Sequence, residues 1–187
     1  YKMRMKAFKN KFPIYTDRCK IQILGSRDVD RYILEIRKPY FLEYSDNHGI
    51  EKLTDFEVAR RLRSLVDYYS SSEKIQYEIR LVVKDKMSGE LFGGITFLPV
   101  DADGFIPIGY WVVPEHQGKG IATETLTRIA EFAEKAFKRN KGLRLIIQER
   151  NEKSLKVASK CGFELEKVYR GKTGRNQVWV RKFSQRI

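Results

Sequence analysis

Histidine and cysteine are almost missing from this chain: each occurs twice in 187 residues. Cys19 and Cys161 lie far apart and have no metal-ligand spacing, so neither a zinc centre nor a disulfide framework is expected. They read as reduced thiols of a cytoplasmic protein. His48 and His116 read as loop residues, again without a partner at metal spacing. No apolar run reaches the roughly 18 residues that a membrane span requires. Tyr1-Lys2-Met3-Arg4-Met5 lacks the apolar core of a signal peptide. Two nucleotide motifs are absent as well. Nothing matches the P-loop, in which four residues separate a first Gly from Gly-Lys-Ser/Thr. The dinucleotide fingerprint needs a third glycine where Thr123 stands, and an acid about 20 residues later. RNA-binding aromatics and zinc knuckles are also lacking.

What is present is enough chain for one compact domain. With 42% hydrophobic residues, 187 residues bury roughly 70% of the unfolded surface. Residues 1–15 read as an untethered basic lead-in and 16–187 as a single domain. The net charge is +13, and three acid-free blocks carry much of it: residues 1–12, 135–144 and 167–187. One reading is weak contact with a polyanion such as the ribosome. The other, favoured, is the solvated faces of a basic protein that binds a polyanionic cofactor.

Periodicity and punctuation give a coarse element order. Arg18 to Leu24 alternates and reads as a strand. Ser26 is a candidate N-cap for a helix through Val29, Tyr32, Ile33 and Ile36 that stops before Pro39. Thr54-Asp55-Phe56-Glu57 is a capping box opening a helix with Phe56, Ala59, Leu62, Leu65, Val66 and Tyr69 on one face. Tyr77, Ile79, Leu81 and Val83 then alternate, Met87-Ser88-Gly89-Glu90 turns, and 91–100 returns as a hairpin arm. A strand over 105–113 precedes a helix over about 118–139. A buried strand over 143–148 follows, then a short helix capped by Asn151 and ended by Gly162. Two strands, about 163–170 and 177–183, finish the chain around Gly171-Lys172-Thr173-Gly174. The order predicts an α/β fold: a mixed sheet flanked by helices.

The chemistry gathers at Gln117-Gly118-Lys119-Gly120-Ile121-Ala122, between a strand and a helix. The first N–H groups of a helix have no partner of their own, and the macrodipole there favours negative charge. Glycine lets an anion approach the backbone closely. The first turn carries Lys119 and no acid before Glu124, so an anion is expected here. Asn151 and Ser154 stand one turn apart at another helix start, where spacing alone favours a cap followed by a solvent-facing serine.

Gly109-Tyr110-Trp111, Pro114-Glu115, the run Gln117 to Glu124, Asn151-x-x-Ser154, and Cys161-Gly162-Phe163 with Glu166 occur together and in order. From Gly109 onward the chain resembles the GNAT superfamily of acetyl-CoA-dependent N-acetyltransferases. It looks most like the RimJ/RimL-like branch of ribosomal-protein alanine and serine N-terminal acetyltransferases. The resemblance implies a single-domain, mostly antiparallel sheet with a splayed strand pair that receives the cofactor. It implies that acetyl-CoA binds through the backbone of Gln117, Gly118, Lys119, Gly120, Ile121 and Ala122. Its pantetheine arm would lie along Val112 and Val113, and Asn151 would hold that arm. An N–H near Val112 or Val113 would polarise the thioester carbonyl.

Many relatives place a tyrosine acid where this chain has Ala158, which leaves Ser154 as the candidate to hydrogen-bond the departing sulfur. They often place a glutamate base where this chain has Pro107, so the base stays open among Glu78, Glu43, Glu149 and a water relay. Tyr40, Glu43 and Tyr44, together with Tyr110, are candidate acceptor-binding residues. Tyr40 and its neighbours to Glu51 gather acids among aromatics, suited to a cationic amine; a packed surface loop is the equal alternative. The expected activity is direct acetyl transfer to a primary amine, either a protein N-terminus or a small amine such as an amino sugar, polyamine or antibiotic. A non-catalytic acyl-CoA or polyanion binder is the competing class. No metal and no membrane partner are expected, and the oligomeric state is monomer or homodimer.

Overall fold

The strands are β1 Ile14–Tyr15, β2 Cys19–Ile23, β3 Ile79–Asp85, β4 Leu91–Phe97, β5 Phe105–Val112, β6 Gly142–Gln148, β7 Glu164–Gly171 and β8 Gly174–Lys182. In the computed structural model, which describes residues 5–44, 50–72, 77–171 and 174–184, they form one sheet in the order β1-β2-β3-β4-β5-β6-β8-β7. Every neighbouring pair is antiparallel except β5 and β6. That parallel pair needs a crossover, and helix Ile121–Ala136 supplies it. The helices are α1 Met5–Lys9, α2 Val29–Ile36, α3 Pro39–Leu42, α4 Asp55–Ser71, α5 (that crossover) and α6 Glu152–Lys160.

Alternate strand residues feed two apolar clusters. Ile79, Leu81 and Val83 of β3 join Ile95 and Phe97 of β4, Ile106 and Ile108 of β5, and the buried face of α5. Val82 points the other way, into a cluster with α2, Val58 and Leu62 of α4, and Trp111. Because helices cover both faces of β3, its burial is continuous from Ile79 to Val83, and even Arg80 is buried. Tyr77, expected in this strand, lies before it at 58% exposure.

The capping box is present: Thr54 Oγ1 accepts from the Glu57 N–H at 3.2 Å, and the Glu57 carboxylate accepts from the Thr54 N–H at 2.7 Å. The expected inner face of α4 needs correction. Val58, Leu62 and Tyr69 are its buried residues, whereas Phe56 is 73% exposed. Two residues of α-helix turn the chain through about 200°, so Phe56 stands opposite Val58. Ser26 does not cap α2. It opens a 3₁₀ turn over Ser26–Asp28, and Asp28 precedes the helix without a side-chain cap. The Asp28 carboxylate is drawn instead to Lys84 and to Gln22 Nε2.

The expectation of an untethered lead-in is also corrected for its described residues, 5–15. Met5 and Phe8 of α1 are fully buried, because the Phe8 ring packs with Phe12, Phe97, Phe132 and Phe137 at centroid distances of 5.0 to 6.5 Å. Lys6 and Lys11 are exposed on the outer side of this anchored segment, and Lys9 Nζ donates to the Tyr69 carbonyl at 3.1 Å. Lys172 and Thr173 of the expected final turn lie outside the described residues, as do Asp46 and His48 and the side chain of Glu51.

Candidate active site

β5 changes partners along its length. Phe105, Ile106 and Pro107 pair with Gly142, Leu143 and Arg144 of β6, and there the pairing stops. Residues 108–112 continue along β4 alone, from Ile108 opposite Phe97 to Val112 opposite Gly93. This is the splayed strand pair. Backbone groups alternate sides along a strand, and two bonds set the phase: the Leu98 N–H reaches Pro107 O at 2.8 Å, and the Val113 N–H reaches Phe92 O at 2.9 Å. Gly109, Trp111 and Val113 therefore turn their amides toward β4, while Tyr110 and Val112 turn theirs into the gap.

That phase corrects one expectation. Val113 cannot polarise a carbonyl in the gap, because its N–H is spent on β4 and its side chain is buried. Val112 can. Its own carbonyl is held by Gln117 Nε2 at 3.0 Å, which leaves its N–H as the donor facing the opening.

The glycine turn follows. A 3₁₀ turn over Pro114–His116 leads to Gly118 and Gly120, both at positive φ (74° and 82°). Gly120 in the left-handed region is the residue before α5, so the helix begins at Ile121 rather than at 118. The first intrahelical donor is Glu124, whose N–H reaches Gly120 O at 3.0 Å. The amides of Ile121, Ala122 and Thr123 precede it without an intrahelical acceptor. Gln117 does not join them, since its N–H donates to Pro114 O at 3.2 Å. Ile121 offers only its backbone, its side chain being buried in the core. Lys119 is exposed beside the loop.

α6 closes the far side of the gap. Asn151 Oδ1 accepts from the Ser154 N–H at 3.2 Å and caps the helix as expected, which leaves its Nδ2 free to donate. Across the gap, the Tyr110 hydroxyl donates to Ser154 O at 3.3 Å. Burial pushes the Tyr110 phenol up to about 12, against the pull of Ser154, so it stays protonated at neutral pH. Tyr110 packs on the α5 side of the sheet, away from the other candidate acceptor residues. Its strand neighbour Trp111 faces them instead, 5.9 Å from Phe41 and 5.3 Å from Tyr32 between ring centroids. Gly94 permits this, because a Cβ there would meet the indole at 2.7 Å.

On that face α3 begins with Pro39 at its first turn. Tyr40 donates to Glu35 Oε2 at 3.1 Å, and burial together with Glu35 raises its phenol well above the ordinary value. Glu35 is fully buried and paired with Arg31 and Lys38, each at 2.9 Å. Arg150 ties the segment to the α6 side. Its Nη2 donates to Glu43 O at 3.1 Å, and its guanidinium stands 5.4 Å from the Tyr44 ring centroid. The wall thus spans from α2 to the residue before Asn151.

A glycine turn that leaves three helix amides unpaired, opening beside an unpaired strand edge, suits an extended ligand with a diphosphate at one end. Comparison with known proteins agrees. The family described as Acetyltransferase (GNAT) domain matches residues 19–164. The chain belongs to the GNAT acetyltransferase family. It is 24% identical over 161 residues to the uncharacterized N-acetyltransferase YoaA of Bacillus subtilis (strain 168), covering 85% of this chain and 87% of that one. Its fold matches RimL, a ribosomal L7/L12 alpha-N-protein acetyltransferase solved with coenzyme A, with TM-score 0.76, 14% identity, and coverage of 93% and 99%. It also matches the ribosomal-protein-S5-alanine acetyltransferase of Vibrio fischeri, with TM-score 0.73, 19% identity, and coverage of 90% and 95%.

The protein is an acetyl-CoA-dependent N-acetyltransferase, and no group of metal-ligating side chains occurs among the described residues. Two of the candidate bases are engaged elsewhere: Glu78 Oε1 bonds Arg80 at 3.0 Å, and Glu149 pairs with Arg175 at 3.2 Å. Sequence reasoning gave no role to Trp111 and Arg150 on the candidate acceptor wall, or to Arg18 and Glu124 beside the loop. Arg150 had a local signal, lying next to the Asn151 cap. Arg18 had none, since its partners are about a hundred residues away.

Proposed function

We propose that this acetyltransferase transfers the acetyl group directly from acetyl-CoA to a protein N-terminal α-amine. One observation carries the transfer itself: the β5 edge loses its β6 partner after Pro107, beside the unpaired amides of Ile121 to Thr123. In this reading those amides and Gly120 hold the diphosphate, Tyr110 and Val112 offer backbone groups to the pantetheine arm, and Asn151 Nδ2 steadies it. The amine nitrogen attacks the thioester carbonyl carbon, with the Val112 N–H donating to the carbonyl oxygen as charge develops there. The N–C bond forms, the C–S bond breaks, and the thiolate leaves toward Ser154, the proton shed by the amine nitrogen passing through water to the departing sulfur. A thiol pKa near 8.5 means that the sulfur needs only modest help.

The choice of acceptor rests on the base. Pro107 stands on β5 where related enzymes often carry a glutamate, and Glu78 and Glu149 are in ion pairs. An α-amine near pKa 8 is partly neutral in the cell, whereas a lysine or polyamine near 10.4 is hardly so. With two of the three candidate carboxylates in ion pairs, the reading favours the acceptor that deprotonates unaided. The two buried, unpaired thiols support a cytoplasmic setting.

Thiol release with a short peptide bearing a free N-terminus, its N-blocked lysine-containing counterpart, and spermidine tests the assignment. The free peptide is expected to turn over, with kcat/KM rising through a midpoint near pH 8 toward a plateau about one pH unit higher as its α-amine deprotonates. Turnover of spermidine with none of the peptide would reject the protein-modifying reading.

A further inference from the structure

The β1–β2 turn delivers Arg18 to the entrance of α5. Its Nη1 donates to Lys119 O at 2.8 Å, and its Nε and Nη2 grip Glu124 Oε2 at 2.7 and 2.6 Å. The Arg18 backbone N–H adds a bond to Glu124 Oε1 at 3.0 Å, and the Thr16 hydroxyl donates to the same oxygen. A Cβ on Gly120 would stand 3.3 Å from Arg18 Nη2, so guanidinium and loop are in contact. The side chain nevertheless remains 48% exposed.

We propose that Arg18 is a positioning residue of the diphosphate cradle, a role that rests on the acetyl-CoA reading above. Two physical effects follow from the contacts. In a trans peptide the carbonyl of one residue and the N–H of the next point in opposite directions. Pinning the Lys119 carbonyl on the Arg18 side therefore aims the Gly120 N–H away from it, toward the loop mouth. The second effect is electrostatic. Glu124 is an acid in the first turn of the helix that must receive an anion, and like charges there oppose binding. Although burial works the other way, bonds from Thr16 and Arg18 hold the Glu124 carboxyl below its usual range. Arg18 then neutralises the resulting charge through a two-point fork that lysine cannot reproduce.

Pantetheine, which lacks the diphosphate, separates this role from a purely structural one. Calorimetry with coenzyme A and with pantetheine would be run on the wild type, Arg18→Ala, Arg18→Lys and the double variant Arg18→Ala/Glu124→Gln. Arg18→Ala is expected to weaken coenzyme A binding about tenfold or more, the size of one charge-assisted hydrogen bond. The preference for coenzyme A over pantetheine shrinks by a similar factor. Arg18→Lys falls between, and the double variant recovers part of the loss because the unneutralised acid is gone. Equal weakening of both ligands by Arg18→Ala would mean that Arg18 only supports the fold, and would overturn the proposal. A wild type that binds coenzyme A no better than Arg18→Ala overturns the proposal alone. A wild type that takes up no coenzyme A overturns the acetyl-CoA reading with it.

Discussion

In the proposed reading Asn151 combines two roles that its own chemistry can separate. Its Oδ1 caps α6 through the Ser154 N–H, which leaves its Nδ2 for the proposed contact with the pantetheine arm. Asn151→Asp keeps the acceptor oxygen and an N-terminal charge that the helix favours, so melting should hold. It removes the amide donor, so KM for acetyl-CoA should rise several-fold. Asn151→Ala should lose both, with about 1 kcal/mol of stability gone as well. Parallel melting and kinetic measurements check this; an unchanged KM in the Asp variant would return Asn151 to a capping role only. Ser154→Ala is a sharper probe of the chemical step. With no tyrosine at position 158, loss of the hydroxyl should lower kcat about tenfold while KM for acetyl-CoA stays within about twofold, as expected of an interaction made with the leaving sulfur. A kcat equal to wild type would remove Ser154 from the catalytic set.

The loop–helix element of β5, the glycine turn and α5 works through backbone conformation, so glycine substitutions test it. Gly120→Val places a branched side chain at φ +82° against Arg18. It should cost about 1–2 kcal/mol in stability from the left-handed conformation alone and weaken coenzyme A binding more than tenfold. Gly89, in the β3–β4 turn at φ +77° with nothing near its would-be Cβ, is the control. Gly89→Ala should lower melting comparably and leave coenzyme A affinity unchanged. This element was legible in the sequence because its signals are local: glycines, a proline and a helix start within a few residues. The capping box of α4 was legible for the same reason. What sequence could not give was the phase of β5, which depends on which neighbour each amide meets. That is why Val112 and Val113 looked equivalent until the Val113–Phe92 bond separated them. The exposed Phe56 failed similarly, since hydrophobicity alone does not say which side of α4 meets the sheet.

At the scale of the whole molecule, charge and core gave opposite impressions of the N-terminus. Lys2, Arg4, Lys6, Lys9 and Lys11 made residues 1–12 look like a solvated tail. Between them, Met5 and Phe8 recur three residues apart, a single helical turn too short to register as a pattern. The partners that bury them, Phe97, Phe132 and Phe137, are distant in sequence, so only the folded chain reveals the cluster. The cluster joins α1 to β4 and to the C-terminal end of α5, the helix whose other end follows the glycine turn. Phe8→Ala should therefore behave as a core truncation, costing about 3–5 kcal/mol. For a domain of this size that corresponds to a fall in melting temperature of about 6–20 °C. Lys6→Ala, on the exposed side of the same helix, should move melting by less than about 1–2 °C. Thermal unfolding of the two variants decides the matter: equal melting temperatures would mean that α1 is dispensable to the core, whereas a drop confined to Phe8→Ala makes it part of the scaffold that holds α5 in place.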